Sequence, residues 1–483
     1  MALTVGFSIP KTNLIMGENP LCTLTLQNTG DKPLEIIDPQ SGSGMPVFRV
    51  MNIQTGAEIL IRDRWPQAKI FTLVLQPGRP IERSIPLLRD IKFPLPGDYA
   101  VSALYEYNGG RDRAESNPVK VKIRALAVQN LSLVYHDAPD LNATCINTAA
   151  DPPDVVMIQL QLVAGGGPGD VRSAGKATLL DTPVGSWPPT WGQWIAWVNE
   201  GTLNYTYLHI GRESTDPGRT ALRSPQVRLI PPVHSTSDAN PDVFNEGMAA
   251  LWLQDPRTGG STVQLVELRA NARKASGKLG ASLSLAGGAP GWMMNHFRTD
   301  GRNLVTFIRG QNGHIGLYTL PWPRSEAAAP PAGPLVKWQG ELVAAGATCA
   351  EGNVIRGALV VRPGTCPHEN LTVHDWMIDP AGAATSAPRV SLNWSVADPV
   401  LSAKVRVRKS GEPAVLLRGR DATWYLYDGL SELKPVFSEY ARTPLPIDVV
   451  FFGGREAVLV LGRKEGGLAV KRTDGSDLPP DID

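Results

Sequence analysis

Apolar and polar residues alternate along the first 125 or so positions, and give way to nearly continuous apolar runs beyond them. A period of two predicts half-buried strands, and a short unbroken run bounded by turn signals predicts a strand buried on both faces. In "LCTLTLQNTGDKPLEII" the alternation puts Leu21, Thr23, Thr25 and Gln27 on one face and Cys22, Leu24 and Leu26 on the other. A turn follows at Asn28-Thr29-Gly30-Asp31. "FRVMNIQTGAEILI" predicts a hairpin turning at Thr55-Gly56, and "FTLVLQPGRPIERSIPL" breaks at Pro77-Gly78. "LPGDYAVSALYEYNGGRDRAESNPVKVKI" closes the region as a hairpin over Gly109-Gly110. The count is eight or nine strands with no helical period.

Two antiparallel sheets with an immunoglobulin-like topology fit this count over residues 1–125. The phrases "NTGDKPLEI" and "LPGDYAVSALY" resemble those of bacterial immunoglobulin-like modules, with Pro96-Gly97-Asp98-Tyr99 as the turn into a late strand carrying a packed tyrosine. The resemblance implies a spacer or docking module and no particular activity.

From about 126 to 483 the pattern repeats. Six similar runs, "WIAWV", "AALWLQ", "LVTFIR", "GALVVR", "AVLLRG" and "AVLVLG", recur about 54 to 57 residues apart, with a shorter last interval. Each is followed by a second run: "YTYLHI", "VQLVEL", "IGLYTL", "LTVHDWMI", "TWYLYDGL" and "GLAVKR". "VVMIQLQLV" (155–163) reads as the opening of another unit. Strand pairs at this spacing without intervening helices predict an all-β protein whose second domain, 126–483, is a β-propeller of six or seven blades, seven being preferred. The last unit stops short of an outer strand, so residues 128–136 are expected to complete it and close the ring.

"ESTDPGRTA" carries Ser214, Asp216, Gly218 and Thr220 in an S-x-D-x-G-x-T pattern. It resembles the Asp-box of sialidase-type propellers, and departs from it at Ala221, where that family has an aromatic. The physical logic is a carboxylate accepting from turn amides, a glycine at positive φ and hydroxyls capping the loop. In that family the box is structural, so the resemblance implies fold rather than catalysis.

The stretch "SWPPTWGQWIAW" holds four tryptophans. On a strand, Trp194 and Ala196 face one neighbouring blade and Ile195 and Trp197 the other, so both indoles belong to the core. Trp187 and Trp191 fall among prolines and a glycine, in a loop expected to join one blade to the next and to offer binding contacts or pack over the central opening.

Composition narrows the function classes. The 48 glycines and 42 prolines, spread along 483 residues, suit many tight turns. A formal charge of +1 gives no footprint for nucleic acid or an anionic membrane. "KVRVRK" (404–409) is the one basic run, and its alternation reads as a solvated strand face. No apolar stretch reaches bilayer length and no secretory leader is recognisable, so membrane insertion is not expected. A cytoplasmic protein is expected, or one exported within a particle. Four cysteines are too few for a disulfide scaffold. "CPHENLTVHD" places Cys366, His368, Glu369, His374 and Asp375 together, with Cys349 upstream, in no common zinc spacing; reduced thiols or a Cys349–Cys366 bridge are expected, and no metal or cofactor.

No metalloprotease, nucleophile-elbow, phosphate-loop or dinucleotide motif occurs. The expectation is therefore a non-enzymatic interaction or scaffold protein, binding a protein or glycan partner through propeller loops, with homo-oligomer or particle assembly left open. The alternative is a sialidase-like or other carbohydrate-active hydrolase with its site at the propeller centre. Its candidates are Arg223, Arg298, Arg309 and Arg362 for an anionic sugar and Asp300, Glu369 and Asp375 as carboxylates.

Overall fold

The computed structural model describes residues 3–473, except 19, 42–45, 62–70, 87–92, 94, 109–110, 135–139, 162–167, 179–182, 187–191, 200, 210–214, 223–225, 235–244, 255–256, 258–259, 272, 286–289, 298–302, 323–332, 365–369, 395–398, 421–422, 431, 437–447, 453–455 and 463–467. It is all-β, and the described residues contain no α-helix. None of their helices is long and apolar enough to cross a membrane. The chain forms two compact units, Met1–Ala127 with Ala149–Asp151 and Gly169–Ser173, and Val128–Thr148 with Pro152–Pro168 and Ala174–Asp483.

In the first unit, Leu21–Asn28 lies between Leu3–Ser8 and Pro80–Pro86 in a three-stranded sheet. A second sheet runs in the order Asn13–Ile15, Val119–Arg124, Gly97–Tyr107, Val47–Asn52, Glu58–Ile61, with Asp112–Glu115 also paired to Gly97–Tyr107. Leu34–Ile37 and Thr72–Leu75 form a separate ladder. Inward residues of all three sheets share one core, including Leu24, Leu26, Ile36, Leu75, Val50, Val101 and Tyr105. The period-two reading holds residue by residue in Leu21–Asn28, where Cys22, Leu24 and Leu26 are buried. Gly56 and Gly78 stand at positive φ in the predicted turns. Tyr99 is buried and its hydroxyl donates to the Leu95 carbonyl at 2.8 Å. Among the described residues the strands number eleven rather than eight or nine, because pieces as short as Asn13–Ile15 carry no readable period.

The second unit is a succession of up-and-down antiparallel sheets. Sheet I is Val128–Val134, Asp140–Asn147, Asp154–Gln161 and Pro168–Lys176. Sheet II is Val184–Gly185, Gly192–Asn199, Thr202–His209 and Gly218–Ala221. Sheet III is Gln226–His234, Asn245–Gln254, Ser261–Ala270 and Ala275–Leu285. Sheet IV is Trp292–Phe297, Asn303–Gln311, His314–Trp322 and Val336–Gln339. Sheet V is Glu341–Cys349, Ile355–Arg362, Leu371–Ile378 and Ala384–Leu392. Sheet VI is Ser402–Val407, Pro413–Arg418, Trp424–Tyr427 and Lys434–Pro435. Sheet VII is Asp448–Phe452, Glu456–Gly462 and Leu468–Arg472. The first strands of sheets I to VII touch in succession, and the third strand of sheet I touches the third strand of sheet VII. This cyclic order of contacts is propeller-like.

The repeated apolar runs are the second strands of their sheets, paired on both edges, and the first strands meet around the ring. Two expectations about this unit are corrected. Residues 155–163 do not open a unit, because Asp154–Gln161 is the third strand of sheet I. Residues 128–134 pair with Asp140–Asn147 inside sheet I, so among the described residues they do not complete the last sheet.

Candidate functional site

Sheet II is fixed by its tryptophans. Trp194 packs with Ala249, Leu251, Val266 and Leu268 of sheet III, whereas Trp197 packs with Ile146, Val155 and Met157 of sheet I. Both are essentially inaccessible, at 0% and 1% exposure, which makes them core rather than a platform. Trp197 also donates its indole N–H to the Lys176 carbonyl at 3.1 Å.

The same strand carries the loop of interest. Ser186 N–H donates to the Trp194 carbonyl at 2.8 Å, and Trp194 N–H donates to Ser186 Oγ at 2.9 Å. These reciprocal bonds tie Ser186, at the base of the 187–191 segment, to the backbone of Trp194, whose side chain is buried. Trp187 and Trp191 lie outside the described residues. Their loop does not join two blades: Val184 pairs with Ala196 and Gly185 with Ile195, so it connects the first and second strands of sheet II.

Polar side chains gather at this end of sheets I to V, where first strands turn into second strands. Gln193 and Thr144 are buried and converge over Gly185, where a Cβ would lie 2.3 Å from Gln193 Nε2 and 2.7 Å from Thr144 Oγ1. Neither atom has a hydrogen-bond partner among the described residues. Asn295, in the first strand of sheet IV, donates through Nδ2 to the Met248 carbonyl at 3.0 Å and leaves Oδ1 unpaired. Next to it, His296 Nδ1 meets Cys349 Sγ at 2.9 Å. Cys349 is a free thiol, so the Cys349–Cys366 bridge is not formed. Burial pushes its thiol up to about 12.

The Asp-box residues do different work from that expected. Ser214 lies outside the described residues. Thr215 Oγ1 accepts from Tyr207 N–H at 3.0 Å and lies 3.0 Å from Thr206 Oγ1. Asp216 is exposed; its backbone, not its carboxylate, is engaged, donating to the Arg273 carbonyl at 2.8 Å and accepting from Ala275 N–H at 3.1 Å. Gly218 is extended in the fourth strand of sheet II rather than at positive φ. It is glycine because a Cβ there would lie 2.2 Å from Tyr205 Cε2. Thr220 Oγ1 lies 3.1 Å from the Tyr205 hydroxyl.

Among the described residues the hydrolase candidates, Arg309, Arg362 and Asp375, do not come together. Arg223, Arg298, Asp300, Cys366, His368 and Glu369 lie outside the described residues. Arg309 and Arg362 stand near the far ends of the second strands of sheets IV and V, away from the clamped loop, over the Tyr318 ring at 5.6 Å and on Glu341 at 3.1 Å. Asp375 is held by Arg389 at 2.7 Å. Among the described residues no three His, Cys, Asp or Glu side chains converge as a metal site.

The basic run 404–409 is not a solvated face. Val405 and Val407 join the core shared with sheet V. On the opposite face Arg406 binds the buried Asp448 of sheet VII at 2.8 Å, and Arg408 stacks over the Phe451 ring at 4.4 Å. Burial alone would raise the Asp448 carboxyl, but Arg406 and Lys404 hold it below the ordinary carboxylate range. Alternation in sequence cannot tell water from a carboxylate on the next sheet, and this is why the run was misread.

No protein-family model and no curated protein sequence matches this chain. Solved structures are similar at low level. An alpha-L-arabinanase of Penicillium chrysogenum complexed with arabinobiose is 11% identical over 61% of this chain and 93% of its own, with a TM-score of 0.38. A polysaccharide lyase, an ulvan lyase, is 8% identical over 72% and 93%, with a TM-score of 0.38. NanB is 9% identical over 93% of both chains, with a TM-score of 0.33. Likeness at this level assigns no activity to the chain.

Proposed function

We propose that the second unit is a seven-bladed β-propeller that recognises a glycan at the end carrying Trp187 and Trp191, and that the first unit is an immunoglobulin-like docking module. The observation that carries the reading is the Ser186–Trp194 clamp, which roots the segment bearing Trp187 and Trp191 on the backbone of a fully buried strand residue. Aromatic rings flanked by unpaired polar groups suit sugars, which present apolar ring faces and many hydroxyls. The decisive experiment is glycan-array binding of the full chain with W187A and W191A. Loss of binding with an unchanged melting temperature supports the reading; unchanged binding, or unfolding of both variants, removes it.

A carbohydrate-active hydrolase is the second reading, favoured by Asp448, a buried carboxylate kept ionised at the start of a ring-lining strand. Glycoside hydrolysis needs a second carboxyl about 5–10 Å away. Sugar release by the wild type that D448N abolishes, in a variant that stays folded, would replace binding with catalysis.

A further inference from the structure

The contact between His296 and Cys349 lies at the end of the sheets where the glycan is proposed to bind, but its surroundings suit a different ligand. Trp292, Met294 and His296 alternate onto the face of their strand that meets sheet V; Trp292 and Met294 pack there with the core of sheets IV and V. Ala345, Ala347 and Cys349 alternate onto the facing side of the first strand of sheet V, with Ala345 and Ala347 in that same core. The 2.9 Å approach of His296 Nδ1 to Cys349 Sγ fixes the register between the two strands. Met294, two residues before His296, lies on the same face of that strand and packs on the same core as Ala347. A thioether, an imidazole and a thiol therefore stand on one seam. His296 and Cys349 are half-buried, not sealed, at the ends of their strands.

We propose that Met294, His296 and Cys349 bind one copper(I) ion. Thiolate and thioether donors select soft copper(I), and imidazole suits copper as well. Zinc sites draw four ligands from Cys, His and carboxylates, and the described residues bring no third such group to this pair. Binding is not a redox step: the Cys349 S–H bond breaks, a sulfur–copper bond forms and one proton leaves to solvent.

The test is anaerobic titration of the full chain with copper(I) supplied as its bicinchoninate complex, in wild type, C349S, H296Q and M294L. Cys22, Cys145 and Cys366 remain in every variant, so differences belong to this seam. Wild type should withdraw one equivalent of copper(I) at least tenfold more tightly than C349S or H296Q, with M294L between them. No withdrawal by wild type, or equal withdrawal by C349S and H296Q, overturns the site; M294L equal to wild type overturns the three-donor assignment. Should variants misfold, wild type alone still decides the matter. Copper(I) should shield Cys349 from N-ethylmaleimide in mass-mapped alkylation, and equal labelling with and without the ion overturns the proposal.

Discussion

The indole of Trp194 in sheet II lies so close to the backbone of Gly247 in sheet III that a Cβ at 247 would stand 2.4 Å from Trp194 Nε1. The seam between the two sheets is thus fitted around one side chain, with Ala249 and Leu251 completing it. G247A should destabilise the protein by about 1–3 kcal/mol through overpacking. Trp194→Ala should cost about 3–5 kcal/mol through the cavity it leaves. Denaturant unfolding measures both, and a neutral G247A would mean that the sheets are free to separate there.

Tyr205 gives a second discriminating pair. Its ring is bracketed by Gly218 and Gly277, where added Cβ atoms would lie 2.2 Å and 2.6 Å from ring carbons. An Asp-box reading makes Asp216 the residue that holds the turn, whereas here its carboxylate is exposed and makes no hydrogen bond among the described residues. D216A should therefore change stability by less than about 0.5 kcal/mol, as an exposed side chain without partners does. G218A should lower it by about 1–3 kcal/mol. The opposite ranking in thermal melts would restore the Asp-box role.

What the sequence could reveal here follows from which side chains are bulky. Residues 194–197 are apolar on both faces, so their alternation between two neighbouring sheets was readable from period two alone. Two of the ring-lining strands were harder to read, because their side chains are few or small: Val184–Gly185 is two residues long, and Glu341–Cys349 carries four alanine and glycine residues in succession. The eye is drawn to the second strands instead. At Gly218 the motif records a residue type and not the Tyr205 ring that requires it. The His296–Cys349 contact joins residues 53 apart on different sheets and leaves no local signal.

The Arg406–Asp448 pair predicts an acid limb to stability. The folded-state carboxyl lies below its ordinary value, so the unfolded chain binds the proton more readily. The contribution is complete above the unfolded value near pH ~4 and disappears as pH falls through the folded one. D448N should cost about 3–5 kcal/mol at neutral pH by leaving Arg406 half-buried without its counter-charge. It should also flatten the stability profile below pH ~5, where wild type still declines. Wild type and D448N profiles of equal slope in urea titrations between pH ~3 and ~5 would show that the pair does not govern acid unfolding.

Two buried threonines should respond in opposite ways to the same substitution. Thr306 is fully buried in the second strand of sheet IV, between Leu304 and Ile308, and its hydroxyl has no partner. Thr306→Val keeps the shape and removes an unsatisfied group whose burial costs about 1–3 kcal/mol, so it should stabilise the protein. Thr144 is just as buried and equally unpaired, yet it shares the Gly185 notch with Gln193 Nε2. Two polar atoms aimed at one point suit a bridging water, which makes hydrogen bonds with otherwise unsatisfied groups. Thr144→Val would strand Gln193 as well, and should destabilise by about 1–2 kcal/mol. Melting temperatures moving apart for the two variants would separate a lone hydroxyl from one that belongs to a hydrated pair; parallel gains would mean that the notch is dry.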